Sequence, residues 1–439
     1  MYTRKVKVSA ITVLACAGAL GACSDLTNIP KTGIVQPAAE NNAIGAVALY
    51  AGATQKFVAS TQNSILFSGL FSDELVDAWS PGLVYGYIDA RRAQNSTNQT
   101  GQELTEYSNA LVALRFAASA LQQYAPTPGS RLGQTYSYQG YLETYIAEQF
   151  CNGIPFSTID FSGAVVYGAA TTTADAYGRA VAHFDSAAAV SADSARVLNL
   201  ARVGKGRALL NLSRYAEAAA AVANVPTTFV YNLDINAAIP AQQNALYATI
   251  VLQKRVGIAA GRNGTNGINW AAAADPRVRV APNGKGFDGV TDVYSYLPLS
   301  GLGAALPIAS GVEARLIQAE AALQANHDDA TTTGSSWLGI LNSLRASAVS
   351  PALAPLADPG SYPGRVDLLF RERAFWLFLT ASRMPDMRRL VRQYGRTPDS
   401  VFPSGTYRDG SPFGAEMNFV APSLERPNTT YTGCIDRNA

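Results

Sequence analysis

One stretch near the end of the chain, residues 368–392 (LLFRERAFWLFLTASRMPDMRRLVR), constrains the fold more than any other. Residues 374–379 are apolar on every side of a helix, which is typical of a helix buried all round. Pro385 suits the first turn of a new helix rather than the interior of an old one, so we expect a corner near Met384. The stretch therefore predicts a buried core helix, a tight corner and a second helix.

Charged residues flank this core helix at both ends: Arg371, Glu372, Arg373, Arg383, Asp386, Arg388 and Arg389. At 3.6 residues per turn, Glu372, Arg383 and Asp386 fall roughly along one line. These charges must pair, because a buried unpaired charge costs too much free energy. We interpret them as a structural ion-pair network rather than a ligand site.

The same residues resemble a family signature. The stretch resembles the C-terminal signature of the SusD/RagB family of outer-membrane nutrient-binding lipoproteins. It has an ER pair that opens an apolar helix, then a corner of small residues, an Arg and a helix start of the form D-x-R/K-R. The signature falls on Glu372 and Arg373, on Arg383, and on Asp386 with Arg388 and Arg389. The chain departs from it at Thr380 and Ala381, where the family usually has Glu-Gly, so we expect the corner to differ locally.

The N-terminus has the pattern of a processing signal. Arg4, Lys5 and Lys7 precede an uncharged run of thirteen residues, 8–20, which is too short to span a bilayer. The run ends in Leu-Gly-Ala-Cys, the pattern of a bacterial lipobox. We predict a signal peptide over residues 1–22, a lipid on Cys23 and a tether over residues 23–40. The alternative is an ordinary secretory peptide that happens to have a cysteine there.

Charge argues against nucleic acid as a partner. Removal of residues 1–22 leaves 31 Lys and Arg against 32 Asp and Glu, with no polybasic patch. Membrane attachment would then depend on the acyl chains rather than on charge.

Cys16 leaves with the predicted signal peptide and Cys23 is lipidated, so the mature chain keeps two unmodified cysteines, Cys151 and Cys434. Two thiols in an oxidising compartment commonly pair, so a disulfide is the prediction, with two separate thiols as the alternative. No CxxC or Cys/His spacing indicates a metal site.

Helical periodicity recurs along the chain and predicts an all-α fold of tetratricopeptide-like helix pairs. The predicted helices cover residues 41–60, 64–79, 102–124, 136–150, a segment to Val190 that Thr172 and Asp175 begin as a capping box, 195–226, 312–325 and 336–347. The 195–226 segment is one good tetratricopeptide match, with small residues where its two helices meet.

Further resemblance to the SusD/RagB family falls on Glu313, Glu320, Asn342 and Arg345, and on Asp275-Pro276-Arg277. It implies one helical domain over residues 41–394, with a loop-rich insertion at about 227–310 and a C-terminal loop-rich extension over 395–439. Long stretches without helical period are usually functional loops.

The sequence offers few catalytic candidates. Asp73, Glu74 and Asp77 near a tryptophan could be glycosidase carboxylates. However, Asp73 and Asp77 are four residues apart on one predicted helix and face the same way, whereas a glycosidase acid and nucleophile must face each other. We therefore interpret these carboxylates as solvated or capping residues. His183 and His327 stand alone and are expected to be surface or core residues. No catalytic residue, metal site or cofactor is predicted.

Aromatic residues on long loops are the best candidates for ligand binding, because they are free to face solvent while Trp337 and Trp376 lie on apolar helices. The candidates are Trp79, Tyr85, Tyr87, Trp270, Tyr294 and Tyr296. Tyr294 and Tyr296 would share one face if residues 293–297 are extended.

The resemblance implies a non-enzymatic, lipid-anchored protein of the outer membrane, facing the cell surface, that passes its ligand to a SusC-like TonB-dependent transporter. An oligosaccharide or polysaccharide is the expected ligand, because aromatic rings and polar side chains suit sugar faces and hydroxyls. A tetratricopeptide-type scaffold lipoprotein of the envelope is the alternative, and a lipid-anchored glycoside hydrolase is the third.

Overall fold

The computed structural model describes residues 41–80, 84–92, 97–160, 162–261, 264–420, 428–429 and 431–439. The predicted signal peptide, Cys23 and the tether lie outside this range. Within it, no helix has both the length and the hydrophobicity needed to cross a membrane.

Helices dominate the first half of the chain. They are α1 (Ala43–Phe71), α2 (Val84–Asp89), α3 (Thr97–Tyr124), α4 (Gly129–Gln149), α5 (Thr173–Val190), α6 (Ala195–Asn211) and α7 (Tyr215–Val222). Thr172 caps α5 by accepting from the backbone N–H of Asp175, as the capping-box pattern predicts.

The second half adds shorter helices around the core. They are α8 (Ala245–Tyr247), which continues as a π-helix (Ala248–Leu252), α9 (Trp270–Ala273), α10 (Gly311–Ala325), α11 (Trp337–Ser347), α12 (Tyr362–Trp376), α13 (Arg383–Arg392) and α14 (Pro398–Val401). Helix α1 packs on α3, α4 on α5, α6 on α7 and α10 on α11. The prediction of an all-α fold built from helix pairs is confirmed.

Short strands fill the connections in antiparallel pairs. They are β1 (Leu75–Asp77), β2 (Ile154–Pro155), β3 (Thr158–Ile159), β4 (Val165–Val166), β5 (Ala170–Thr171), β6 (Val230–Asn232), β7 (Val256–Ile258), β8 (Val280–Lys285), β9 (Asp292–Tyr296) and β10 (Pro307–Ser310). The pairs are β1 with β7, β2 with β5, β3 with β4, β6 with β10 and β8 with β9. Half of these strands lie in the predicted insertion.

Small residues let the helices of the repeat unit approach closely. A Cβ added at Gly204 of α6 would lie 2.4 Å from the Phe184 ring of α5 and 3.0 Å from Tyr141 of α4. The same helix buries Ala201 and Ala208. The small residues predicted to line this helix therefore form its contact surface.

The first helices differ from the prediction. One continuous helix, Ala43–Phe71, replaces the two predicted over residues 41–60 and 64–79, and the second of these ends in strand β1. Tyr85 and Tyr87, which the sequence analysis places on a long loop, lie on helix α2. The strand is stabilised by β7, a segment about 180 residues away that local periodicity does not reveal.

The corner after the core helix comes earlier than Pro385. Helix α12 ends at Trp376, and residues 377–382 form the corner before α13 begins at Arg383. Leu379 and Ala381 have φ of 54° and 59°, in the left-handed region that disfavours residues with a Cβ. Ala381 is the position where the family signature usually has glycine.

The charges around this corner pair as predicted. Arg373 donates to Asp386 at 2.8 and 2.9 Å, and Arg389 bridges Asp386 and Glu320. Glu372 accepts from Arg277 at 2.6 Å and from Arg345 at 2.7 Å. The resemblance residues thus tie α10, α11, α12 and α13 together.

Arg388 has a different role from the paired arginines. It is 2 % exposed and donates through Nη1 to the carbonyl oxygens of Ala147, Glu148 and Phe150, at 3.1, 2.6 and 3.2 Å. These carbonyls end helix α4, where a cation is favoured. Arg388 therefore fixes α13 to the end of α4.

Asp73, Glu74 and Asp77 are not solvated residues on a helix, which corrects the sequence prediction. All three are buried. Asp73 accepts from Arg383 at 2.7 and 2.8 Å, Asp77 pairs with Arg408, and Glu74 accepts from the Leu379 N–H at 3.0 Å. Their partners lie about 300 residues further along the chain, so the role of these carboxylates is to hold distant segments together.

Cys151 and Cys434 form a disulfide in the structure, with a Cα–Cα distance of 5.9 Å. The bond joins the residues that follow α4 to the last segment of the chain. Asn152 and Ile435 extend the same connection, because the Ile435 N–H donates to the Asn152 carbonyl at 2.8 Å.

Candidate functional site

A cluster of three aromatic rings and one arginine lies where β1, α2 and the β8–β9 hairpin meet. The rings of Trp79 and Tyr85 are 5.7 Å apart at an interplanar angle of 62°, and those of Trp79 and Phe287 are 6.3 Å apart at 85°. The Arg255 guanidinium lies 4.6 Å from the Trp79 ring centroid and 5.5 Å from that of Phe287. We call Trp79, Tyr85, Phe287 and Arg255 the aromatic cluster.

Backbone pairing brings these side chains together from three parts of the sequence. The Ala78 N–H donates to the Arg255 carbonyl at 2.8 Å, where β1 ends and β7 begins. The turn between β8 and β9 bonds to the same two segments. The Asp288 N–H donates to the Ala78 carbonyl and the Phe287 N–H donates to the Lys254 carbonyl, both at 2.9 Å. Trp79, Arg255 and Phe287 are therefore held by main-chain bonds rather than by flexible side chains alone.

Gly286 permits the close approach of the hairpin turn. A Cβ at this position would lie 2.6 Å from the Ala78 Cβ and 3.0 Å from its carbonyl oxygen. A larger residue would push the turn, and Phe287 with it, away from Trp79.

A network of largely buried charged residues, centred on Arg408, lies next to the aromatic cluster. Arg408 binds Asp77, and it donates to Asp288 at 2.9 Å and to the Thr291 hydroxyl at 2.7 Å. Burial acts to raise the pKa of Asp288, but hydrogen bonds from Thr291, Val290 and Arg408 together outweigh it and lower the pKa to about 2, so the carboxylate stays ionised. Burial raises the pKa of Asp77, while the hydrogen bond from Trp79 N–H and the charge of Arg408 lower it.

The cluster combines exposed apolar surface with a cation. Phe287 is 59 % exposed, which is high for a large apolar side chain, and Val290 in the same turn is 70 % exposed. Trp79 and Tyr85 are half-buried, so each ring has one side against the protein. Such rings can stack on the apolar face of a sugar while the guanidinium donates to its oxygens.

Three other predicted ligand residues lie apart from the cluster. Tyr87 follows Tyr85 by two residues on α2 and is half-buried, and no ring contact joins it to the described rings of the cluster. Tyr294 and Tyr296 lie on β9, which confirms that this segment is extended. The Tyr296 ring packs edge-on against Phe378 of the corner at 5.1 Å.

Trp270 is a core residue and not a ligand platform in this structure. Its side chain is completely buried, 5.1 Å from the Phe375 ring and 4.7 Å from the Phe378 ring, and its Nε1–H donates to the Asp73 carbonyl. The loop that contains it is anchored onto the core helix by this ring. The assignment of Trp270 from its loop position is therefore wrong.

Sequence reasoning missed Phe287 and Arg255. Phe287 stands in Gly-Phe-Asp-Gly, a turn pattern with an apolar residue at its tip, which is a signal that could have been recognised. Arg255 has no comparable signal, because its position depends on the β1–β7 pairing. Among the residues that the structure describes, no group of three or more His, Cys, Asp or Glu side chains could hold a metal ion.

Comparison with solved structures shows what this architecture is similar to. A SusD superfamily protein from Bacteroides vulgatus aligns with a TM-score of 0.61 at 13 % identity, over 90 % of this chain and 99 % of that one. A SusD superfamily protein from Parabacteroides distasonis aligns with a TM-score of 0.64 at 13 % identity, over 89 % and 98 %. NanU from B. fragilis gives 0.58 at 12 % identity, over 94 % and 100 %.

Sequence comparison alone adds nothing to this. No family model matches the chain, and no curated protein matches it. At 10–14 % identity, the structural likeness reflects the path of the backbone rather than individual side chains. It extends over nearly the whole length of each protein compared, so the chain has the fold of SusD superfamily proteins.

Proposed function

We propose that this protein belongs to the SusD/RagB family and binds an oligosaccharide or polysaccharide at the aromatic cluster. The observation that carries the proposal is the arrangement of Trp79, Tyr85 and Phe287 around Arg255, on segments joined by main-chain hydrogen bonds. A site of one exposed ring, two half-buried rings and one guanidinium suits an uncharged ligand with apolar faces and hydroxyl groups.

The fold supports this proposal without identifying the ligand. A SusD-like carbohydrate-binding protein from Bacteroides vulgatus has the same fold, at 11 % identity and a TM-score of 0.61. The buried charges around the corner between α12 and α13 pair with one another, so they are not available to bind a ligand. This leaves the aromatic cluster as the better candidate for the glycan site.

The test of binding is a glycan screen followed by titration of the best ligand. We expect saturable binding of at least one oligosaccharide class and no release of reducing sugar on prolonged incubation. Release of reducing sugar would instead favour a glycoside hydrolase. A screen without any glycan ligand, together with binding of peptides, would contradict the proposed ligand class.

We further propose that Cys23 carries a lipid that holds the protein on the outer membrane, facing the cell surface. The Leu-Gly-Ala-Cys pattern after a short apolar run supports this proposal. We expect Cys23→Ser to leave the protein unacylated and released from membranes, because two or more acyl chains supply the attachment. Detergent-phase partitioning checks it, and a variant that stays in the detergent phase would contradict it.

The proposed partner is a SusC-like TonB-dependent transporter that receives the glycan. Affinity purification of the native protein from outer membranes, followed by mass spectrometry, tests this directly. A co-purifying transporter is the expected result.

The alternative is a scaffold lipoprotein, and one surface favours it. A cavity of about 630 Å³ lies between α7 and α10, and five of its eleven lining residues are alanines, among them Ala216, Ala219 and Ala322. Recovery of other envelope proteins without a transporter would favour this second function.

A further inference from the structure

A second polar cavity lies between α3, α4, α5 and strand β3, and the aromatic cluster does not include any of its residues. Its volume is about 440 Å³. Its walls combine charged, amide and aromatic side chains, among them Arg115, Gln139, Glu143, Phe156, Arg179 and His183. We call it the α3–α5 cavity.

A buried carboxylate organises one wall of this cavity. The Glu143 side chain is 1 % exposed and accepts from His183 Nδ1 at 2.7 Å and from Arg179 Nε at 3.2 Å. A carboxylate bonded at Nδ1 favours the tautomer in which Nδ1 carries the proton, so His183 Nε2 presents a lone pair. No residue that the structure describes is within hydrogen-bond distance of Nε2, and the side chain is 28 % exposed.

Arg179 offers donors from the same wall. Its side chain is 51 % exposed, and only its Nε bonds to a described residue, Glu143. The guanidinium carbon lies 4.7 Å from the centroid of the Phe156 ring, which is a cation–π contact. Its two terminal nitrogens have no hydrogen-bond partner among the described residues.

Tyr136 also lines the α3–α5 cavity, next to His183. The Tyr136 and His183 rings are 6.3 Å apart and 28° from parallel, and the Tyr136 hydroxyl accepts from Gln122 at 2.8 Å. Arg115 lines the opposite wall and donates to the Ile159 carbonyl of β3. Among the described lining residues, two arginines and one carboxylate, Glu143, are present.

We propose that the α3–α5 cavity is a second ligand site that binds an acidic sugar, a ring with both hydroxyl groups and a carboxylate. The carboxylate would accept from the free end of Arg179, for which planar carboxylates are the matching partner. A sugar hydroxyl would donate to His183 Nε2, and the ring would lie against Phe156 and Tyr136. Neutral sugars would lack the charge-assisted bond and bind more weakly.

The arrangement favours binding over catalysis. A nucleophilic mechanism needs a hydroxyl or thiol within hydrogen-bond reach of the imidazole. His183 Nδ1 bonds only to Glu143, and no described hydroxyl reaches the ring. The acidic-sugar site is independent of the proposed glycan binding at the aromatic cluster.

The histidines make this site directly observable. The sequence contains only two, His183 and His327, so isotope-labelled imidazoles give two sets of NMR signals. His327 stacks on Tyr362 at 3.9 Å and is absent from the cavity walls, so it is an internal control. His183→Gln assigns the signals.

Titration with D-glucuronate and, at matched ionic strength, with D-glucose tests the proposal. We expect glucuronate to shift the His183 signals saturably and the His327 signals hardly at all, with glucose at least tenfold weaker. Arg179→Gln should weaken glucuronate binding at least tenfold, while Arg214→Gln, at an exposed arginine paired with Glu217, should not.

Three results would overturn the proposal: no shift of His183 with glucuronate, equal shifts with glucose, or an unchanged titration in Arg179→Gln. Trp79→Ala should leave the His183 titration as it is. Loss of glycan binding in that variant with a retained His183 response would thus test the two sites separately.

Discussion

At the corner between α12 and α13, two residues with a Cβ adopt left-handed backbone angles. Such a conformation costs on the order of 1 kcal/mol for a residue other than glycine. Ala381 is buried and its carbonyl accepts from Arg207 at 2.8 Å, so the surrounding bonds hold it there. The departure from the family signature is thus a local strain that the fold tolerates.

Glycine should relieve this strain. We expect Ala381→Gly to leave the free energy of unfolding unchanged or to raise it by up to about 1 kcal/mol. The matched control is Ala374→Gly in helix α12, which should lower it by about 1 kcal/mol or more, because glycine is unfavourable inside a helix. Denaturant unfolding measures both, and equal losses in the two variants would contradict the strain.

Glu74 should make stability depend on pH. Burial raises its pKa to about 8, and its Oε2 has no partner among the described groups. The unfolded chain releases the Glu74 proton above about pH 4.5, whereas the folded protein keeps it up to about pH 8. The contribution of Glu74 to the free energy of unfolding is therefore fully present below about pH 4.5 and is lost as the pH rises to about 8.

We expect Glu74→Gln to reduce the fall in stability between pH 5 and pH 8, since the amide oxygen can still accept from Leu379. Part of the slope should remain, because burial also raises the pKa of Asp89 to about 8 and that of Glu313 to about 7. Melting temperatures across this range measure the effect. Glu217→Gln, at an exposed side chain, is the control, and equal slopes for wild type and Glu74→Gln would exclude the role.

The sequence predicted the residues of the ion network better than those of the candidate site. The rule that buried charges must pair applies to Glu372, Arg373 and Asp386 wherever their partners lie. The burial of Asp73 and Glu74 was not predicted, because a local polar run is typical of a solvated segment. Their partners, Arg383 and Leu379, lie far away in the sequence. Trp270 failed for the same reason, since its burial depends on Phe375 and Phe378.

At the scale of elements, most helices were predictable from the sequence and most strands were not. Helical spacing located most of the helices to within a few residues, although α4 begins seven residues before the predicted start and α1 continues through the predicted break. Strands β1 and β7 contain three residues each and form only through each other. Such pairing is non-local, so no window of the sequence contains it.

The disulfide joins two elements far apart in sequence, separated by 283 residues. Closing so long a loop is worth roughly 3–5 kcal/mol on a chain-entropy argument. For recombinant protein beginning at residue 24, we expect no free thiol in unreduced, denatured protein. Cys434→Ser should lower the melting temperature to that of the reduced wild type, and two free thiols in the wild type would contradict the bond.

At the scale of the whole molecule, the helix pairs form a frame on which connections carry the exposed aromatic side chains. The fold followed from helical periodicity and from a family signature of buried charges. The aromatic cluster did not, because Trp79, Arg255 and Phe287 meet only after β1, β7 and the β8–β9 turn have assembled on that frame. Loop position identified Trp79 and Tyr85 and could not distinguish them from Trp270.

The central claim, glycan binding at the aromatic cluster, is tested most directly by titrating the screened oligosaccharide into Trp79→Ala while measuring the melting temperature of the same sample. We predict a loss of about 1–2 kcal/mol of binding free energy, roughly five- to thirtyfold in affinity, with little change in melting temperature. Trp337→Phe, at a buried tryptophan of α11, should lower the melting temperature and leave the affinity unchanged. Unchanged affinity in Trp79→Ala, or a loss that only follows a matching loss of stability, would contradict the account.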